Sequence, residues 1–137
     1  LDRVGGNYNA FTGEEYTGYF AKVNCSHFDL ALDIISDIYL HSQLDQKELK
    51  REKMVIIEEI NMYRDQPAVY VQNLWNKVLY GDQPAGRDIA GTKKSVLGIS
   101  RKQLINYMKT QYSASNTVVC IAGDISDDSE VVNKVKK

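Results

Sequence analysis

The chain has 137 residues, of which 43% are hydrophobic, enough for one compact domain with its own core. Its 17 basic and 18 acidic side chains leave a formal charge of -1 with no block of like charge, which argues against nucleic acid as a partner. No apolar run approaches the roughly 20 residues that cross a bilayer, and no charged segment leads into an apolar stretch at the start.

In chain order, Tyr8 to Thr12 and Tyr16 to Val23 are rich in aromatic and β-branched residues and are separated by Gly13-Glu14-Glu15, which predicts a β-hairpin. Between Phe28 and Leu40, Ala31, Ile34, Ile35, Ile38 and Tyr39 recur at three and four, predicting an amphipathic helix capped near Ser26 or Asp29. A second helix is expected from Gln46 to Tyr63, ended by Arg64-Asp65-Gln66-Pro67, because proline lacks a donor and clashes with the preceding turn. The third starts at Pro67 and runs to Leu79, with Val71, Leu74, Trp75 and Val78 expected inside and Gly81 just past its end. Gly81, Pro84, Gly86, Gly91 and Gly98 mark a long ordered loop, after which Ser100 caps a helix through Tyr112. Asn116 to Ala122 is almost wholly apolar and is expected as a central strand, and Ser126 to Asp128 cap a last helix. The order β-β-α-α-α-α-β-α is an α+β arrangement, a mostly antiparallel sheet with helices packed on one face. Such a sheet needs more than three strands. Together with a start at Leu1, this reads the whole of 1–137 as part of a longer polypeptide and a partial domain.

Chemistry concentrates in the second helix, in the run K-R-E-K-M-V-I-I-E-E-I-N-M-Y from Lys50 to Tyr63. At about 100° per residue, Glu59 returns to within roughly 20° of Glu52, about 10 Å further along the axis. Leu49, Val55, Ile56, Ile60, Met62 and Tyr63 flank these two carboxylates on both sides, while Glu58 points away, so Glu52 and Glu59 are expected to face inward. A carboxylate buried without a partner costs several kcal/mol, so this pair calls for a cation, a hydrogen bond, a proton or a metal. The alternative is that long side chains at the stripe edge reach water or a neighbouring Lys or Arg. His27 and His41 stand apart from each other and read as turn and helix-end residues. Cys25 and Cys120 have no metal-binding spacing and read as free thiols, with Cys120 packed in the apolar run; a bridge between them stays open, since connectivity is not legible in sequence.

Four ordered signals carry a resemblance: G-G-x-x-N-A-F-T-x-x-E-Y-T-x-Y from Gly5, the segment R-E-K-M-V-I-I-E-E-I, Gly86-Arg87 with Gly91-Thr92, and Tyr112-x-x-x-Asn116 leading into V-V-C-I-A-G-D. The chain resembles the insulinase/pitrilysin family of zinc metallopeptidases, the inverzincins, which includes the mitochondrial processing peptidases. The resemblance implies a zinc cofactor held by an H-x-x-E-H helix and a downstream glutamate. By position it makes Glu59 the third zinc ligand and Glu52 the acidic residue that orients a ligand histidine. It also implies that an extended peptide substrate pairs with the strand through Asn9, Ala10 and Phe11, with Phe11 lining a side-chain pocket beside the scissile bond. A second homologous domain or subunit is the implied partner. No H-x-x-E-H occurs in these 137 residues; the family places it before the Gly-Gly turn, so the chain alone is expected to bind zinc weakly or not at all and to cleave nothing. Two other readings remain: an inert family member acting as a scaffold or substrate-holding subunit, and an independent peptide-binding module using the edge strand. Compartment is left open.

Overall fold

The structure is a computed structural model that describes residues 1–125 and 127–136. Its elements are β1 (Asn7–Thr12), β2 (Thr17–Lys22), α1 (Phe28–Leu40), α2 (Gln46–Arg64), α3 (Pro67–Tyr80), α4 (Lys93–Gly98), α5 (Arg101–Gln111) and α6 (Asp128–Val135). The α+β class and the first three helices agree with expectation. By packing, the chain divides into one unit of Leu1–Phe11, Thr17–Ser42 and Thr110–Lys137, and another of Thr12–Tyr16 and Gln43–Lys109.

In the first unit β1 and β2 form a two-stranded antiparallel sheet, and α1 packs against β2. Three tyrosines fix this packing. Tyr39 of α1 stacks on Tyr112 at 4.9 Å between ring centroids and meets Tyr19 of β2 edge-on at 6.3 Å. Their hydroxyls are satisfied within the cluster: Tyr19 and Tyr112 share a hydrogen bond of 3.0 Å, and Tyr39 bonds the Thr117 hydroxyl at 2.5 Å. Amphipathic rings half-buried in this way contribute packing and leave no orphaned polar atom. The 3-10 turn Cys25–His27 leads into α1 and is itself capped by Asn24, which accepts from Ser26 N at 3.0 Å; α1 starts after His27 with no side-chain cap, so neither Ser26 nor Asp29 caps it. In α6 the cap is Asp127, whose Oδ1 accepts from Ser129 N and Glu130 N; the expected role of Ser126 lies outside the described residues.

The second unit is built on α2. Asp45 Oδ1 accepts from Lys47 N at 2.8 Å and Glu48 N at 3.0 Å, and these two bonds, the Glu48 one foremost, hold the Asp45 carboxyl below the usual carboxylate range. Just before it, Leu44 takes a left-handed conformation (φ 45°), uncommon for a branched residue. Arg101 ties this turn down by donating to Leu44 O at 2.7 Å and Gln43 O at 3.2 Å. The core of this unit is Ile57, Ile60 and Val96, with Ile56 and Ala90 against it, where α2 packs on α3 and α4. Lys53, on the same side of α2, donates from Nζ to the carbonyls of Leu97 and Ile99, satisfying the C-terminal end of α4.

Four expectations need correction. The segment from 116 to 122 forms no strand; Val118 is 92% exposed, and Cys120 is exposed rather than packed. An apolar run records a need for burial, whereas a strand also needs a neighbour, and among the described residues this one has none. The glycine-rich stretch contains α4, started by a reciprocal cap in which Thr92 Oγ1 accepts from Ser95 N at 3.1 Å and Ser95 Oγ from Thr92 N at 2.8 Å. Trp75 is 60% exposed, and Val71, Leu74 and Val78 are exposed with it, so α3 shows solvent the face expected inside. Both cysteines are free, in agreement with their reading as free thiols.

Candidate functional site

The residues expected to pair with a peptide, Asn9, Ala10 and Phe11, lie on β1. Gly13 N donates to Tyr16 O at 2.8 Å, and carrying that register along the antiparallel ladder sets Phe11 opposite Gly18 and Asn9 opposite Phe20. Alternation then turns the N–H and C=O groups of Tyr8, Ala10 and Thr12 away from β2, toward the free edge of β1. Ala10 is therefore the residue whose backbone an added strand would meet. Its N–H is taken up here by the Asn9 side chain, which accepts it at Oδ1 at 2.8 Å. The side chains of Asn9, Phe11, Gly18 and Phe20 share one sheet face. Phe11 is 49% exposed and lies 6.4 Å from Phe20, with the rings tilted by 46°. So Phe11 is neither core nor isolated: it is half of an exposed aromatic pair. Gly18, the second residue of β2, lies under the Phe11 ring and is not among the residues singled out from the sequence. The available signal was a glycine inside a strand, which often marks a close approach.

The acidic residues lie on α2. Glu52 and Glu59 are both exposed, which corrects the inward placement. The packed side of α2 carries Lys53, Ile57 and Ile60, roughly 100° around the helix from the two carboxylates. Val55 at 49% and Met62 at 47% exposure form a second apolar strip on the other side of the glutamates. Neither glutamate has a hydrogen-bond or ion-pair partner among the described residues, although the nearby Glu58 accepts from Asn61 Nδ2 at 3.2 Å. These are two unpartnered carboxylates on one helix face, between two apolar strips.

A zinc site takes three or four protein ligands converging on one point. Among the described residues no group of three or more His, Cys, Asp or Glu side chains could hold a metal ion. Glu59 is a suitable ligand by type, yet this donor set does not fit a complete zinc centre. His41 is engaged with Asp37 at 3.0 Å at the end of α1. Among the described residues no helix is long and apolar enough to cross a membrane.

Comparison with known proteins follows the same residues. The family described as "Insulinase (Peptidase family M16)" matches residues 1–93, and "Peptidase M16 inactive domain" matches residues 98–137. The uncharacterized zinc protease YmxG of Bacillus subtilis (strain 168) is 44% identical over 127 residues, covering 93% of this chain and 31% of that protein. A protein of Arabidopsis thaliana named "Probable mitochondrial-processing peptidase subunit beta, mitochondrial" is 36% identical over 137 residues, covering 100% of this chain and 26% of its own length. A crystal structure of an M16-like peptidase from Alicyclobacillus acidocaldarius superposes with a TM-score of 0.80 at 28% identity, covering 96% of this chain and 30% of that one. The chain thus spans about a third or less of the length of these relatives. With the Gly-Gly turn, the Asn9-Ala10-Phe11 strand and the paired glutamates all inside the matched region, the chain belongs to the insulinase family of peptidases, family M16.

Proposed function

We propose that this chain is a segment of a zinc-dependent endopeptidase that hydrolyses extended polypeptides, contributing the strand that aligns the substrate and one corner of the metal site. The observation that carries the reading is the pair Glu52 and Glu59, exposed and unpartnered on one face of α2 in a chain whose first 93 residues match a peptidase family. Two carboxylates held between apolar strips without a cation suit groups that meet their partners elsewhere in the whole protein. In this reading Glu59 is a zinc ligand and Glu52 orients a second ligand. Zinc, when bound, supplies polarisation of the peptide carbonyl and acidification of a water.

The free edge of β1 accepts the substrate as an added strand, with the Ala10 backbone as the central pairing group. For that, the Asn9 amide gives up the Ala10 N–H to a substrate carbonyl, an exchange of one acceptor for another with little net cost. Phe11 offers apolar surface to the substrate side chain on its face of the sheet. The exposed apolar groups Val55, Met62, Trp75, Val78 and Val118 suit surfaces covered by further parts of the protein, including a second homologous domain or subunit. Residues 1–137 then form only part of the peptidase domain, and taken alone they bind zinc weakly and cleave nothing.

The test is Glu59→Gln in the whole protein, with zinc content and peptide hydrolysis measured together. Loss of stoichiometric zinc and of at least about 100-fold in activity is expected. Full zinc occupancy in that variant would remove Glu59 from the metal. A wild-type whole protein that binds peptides but holds no zinc would instead identify an inert, substrate-holding family member.

A further inference from the structure

The Phe11 ring does not simply stand beside Gly18; it occupies the space that a side chain at 18 would need. A β-carbon built on Gly18 would lie 2.4 Å from Phe11 Cζ, 2.6 Å from Cε1 and 3.0 Å from Cε2. Carbon atoms pack at about 3.5–4.0 Å, so any residue but glycine must move the ring. The backbone gives no other reason for glycine here: Gly18 lies within β2, and its φ is outside the left-handed region. Nor is β2 free to yield. On its opposite face Tyr19 is locked by the Tyr112 hydroxyl at 3.0 Å and by the Tyr39 ring, so a clash at 18 is relieved at the Phe11 side chain. Phe20, 6.4 Å from Phe11, blocks one direction of escape along the same face.

We infer that Gly18 is a positioning residue: by letting the Phe11 ring lie down on β2, it sets how much room the ring leaves beside β1 and so the size of side chain that a bound peptide can place there. The inference rests on the peptidase reading above and deepens it. With the ring down, the face above Asn9 and Phe11 stays clear for an aromatic or long aliphatic group. With a side chain at 18, the ring is lifted into that space, and small residues are favoured.

The experiment uses the whole protein carrying this segment, as wild type, Gly18→Ala, Gly18→Val, Phe11→Ala, Phe11→Leu and the Gly18→Val/Phe11→Leu pair. Substrates are peptides differing only in one residue flanking the scissile bond, varied on each side in turn, Phe or Leu against Ala. Gly18→Val is expected to lower the large-to-small ratio of kcat/KM by about tenfold or more. Most of the change should lie in KM for the large substrates. Phe11→Leu should restore part of the ratio in the Gly18→Val background, which a general loss of structure would not allow. Independently of activity and of how well Gly18→Val folds, the Gly18 Hα resonances of glycine-labelled wild type should be shifted upfield by the ring and should move back in Phe11→Leu. Unshifted Gly18 Hα signals, or a ratio that Phe11→Ala alters while Gly18→Ala and Gly18→Val leave it unchanged, overturn the role of Gly18 alone. Absence of cleavage by the wild-type whole protein overturns the peptidase reading and this inference with it.

Discussion

The hairpin and α2 both present their candidate functional groups to solvent, but in opposite states of readiness. On the hairpin each group already has a local partner: the Ala10 N–H is held by Asn9, and the Phe11 ring rests on Gly18 and near Phe20. On α2 the backbone is well secured by the Asp45 cap and the Ile57–Ile60 packing, yet Glu52 and Glu59 have no partner. A strand can organise the groups along its own edge from residues a few positions apart. A metal corner cannot, because its ligands must converge from elements distant in sequence.

The largest expected effect that separates the two regions lies in the α2 core. Ile60 is 3% exposed, and Ile60→Ala should destabilise the unit built on α2 by about 2–4 kcal/mol, read by urea unfolding, while the hairpin geometry stays intact. An equal loss of Phe11–Gly18 ring contact by NMR would show that the two regions depend on each other. Next in size, Ala10→Pro removes the edge N–H and should raise KM for peptide substrates about tenfold in the whole protein, the value of one backbone hydrogen bond; unchanged turnover would end the edge-strand role. Lys53→Met keeps the aliphatic stem but leaves the carbonyls of Leu97 and Ile99 without their donor, for a loss of about 1 kcal/mol in the same unfolding experiment. The smallest effect belongs to Asp45. Its carboxyl is held below the usual range in the folded chain, so its contribution is complete above that range and fades as the pH falls through the lowered value. Asp45→Asn keeps a cap without the charge and should flatten the acid side of the stability profile slightly; an unchanged profile would mean the charge is irrelevant to the cap.

What was legible in the sequence follows the range of the forces involved. The helices at Phe28, Gln46 and Pro67 could be read because periodicity, Asp45, Pro67 and Gly81 are local instructions. The short α4 was hidden by its six residues and its glycine surroundings, even though the Thr92 and Ser95 pair was in view. Residues 116–122 are apolar enough for a strand, but strand formation is decided by a partner that the run itself does not contain. The inward placement of Glu52 and Glu59 failed for a particular reason. α2 carries two apolar strips, one with Ile57 and Ile60 and one with Val55 and Met62, and the glutamates lie between them. A helical wheel averages the two strips and points its mean at the carboxylates, whereas packing within this chain covers only the first. The family is legible in motif order, and the register turns the Ala10 backbone toward the free edge of β1, but the value of Gly18 emerges only once that register sets it under Phe11.

The tyrosine cluster gives the chain a built-in pair of optical reporters. Tyr19, Tyr39 and Tyr112, stacked and edge-on to one another, belong to the first unit, while Trp75, the single tryptophan, belongs to the second and is 60% exposed. Coupled phenol rings contribute a near-ultraviolet circular dichroism band that vanishes when their packing is lost, and tryptophan emission follows the environment of α3 separately. Heating one sample and recording both signals therefore yields two melting curves from an unlabelled chain, one for each unit, and their coincidence or separation measures directly how far the two share a single cooperative transition.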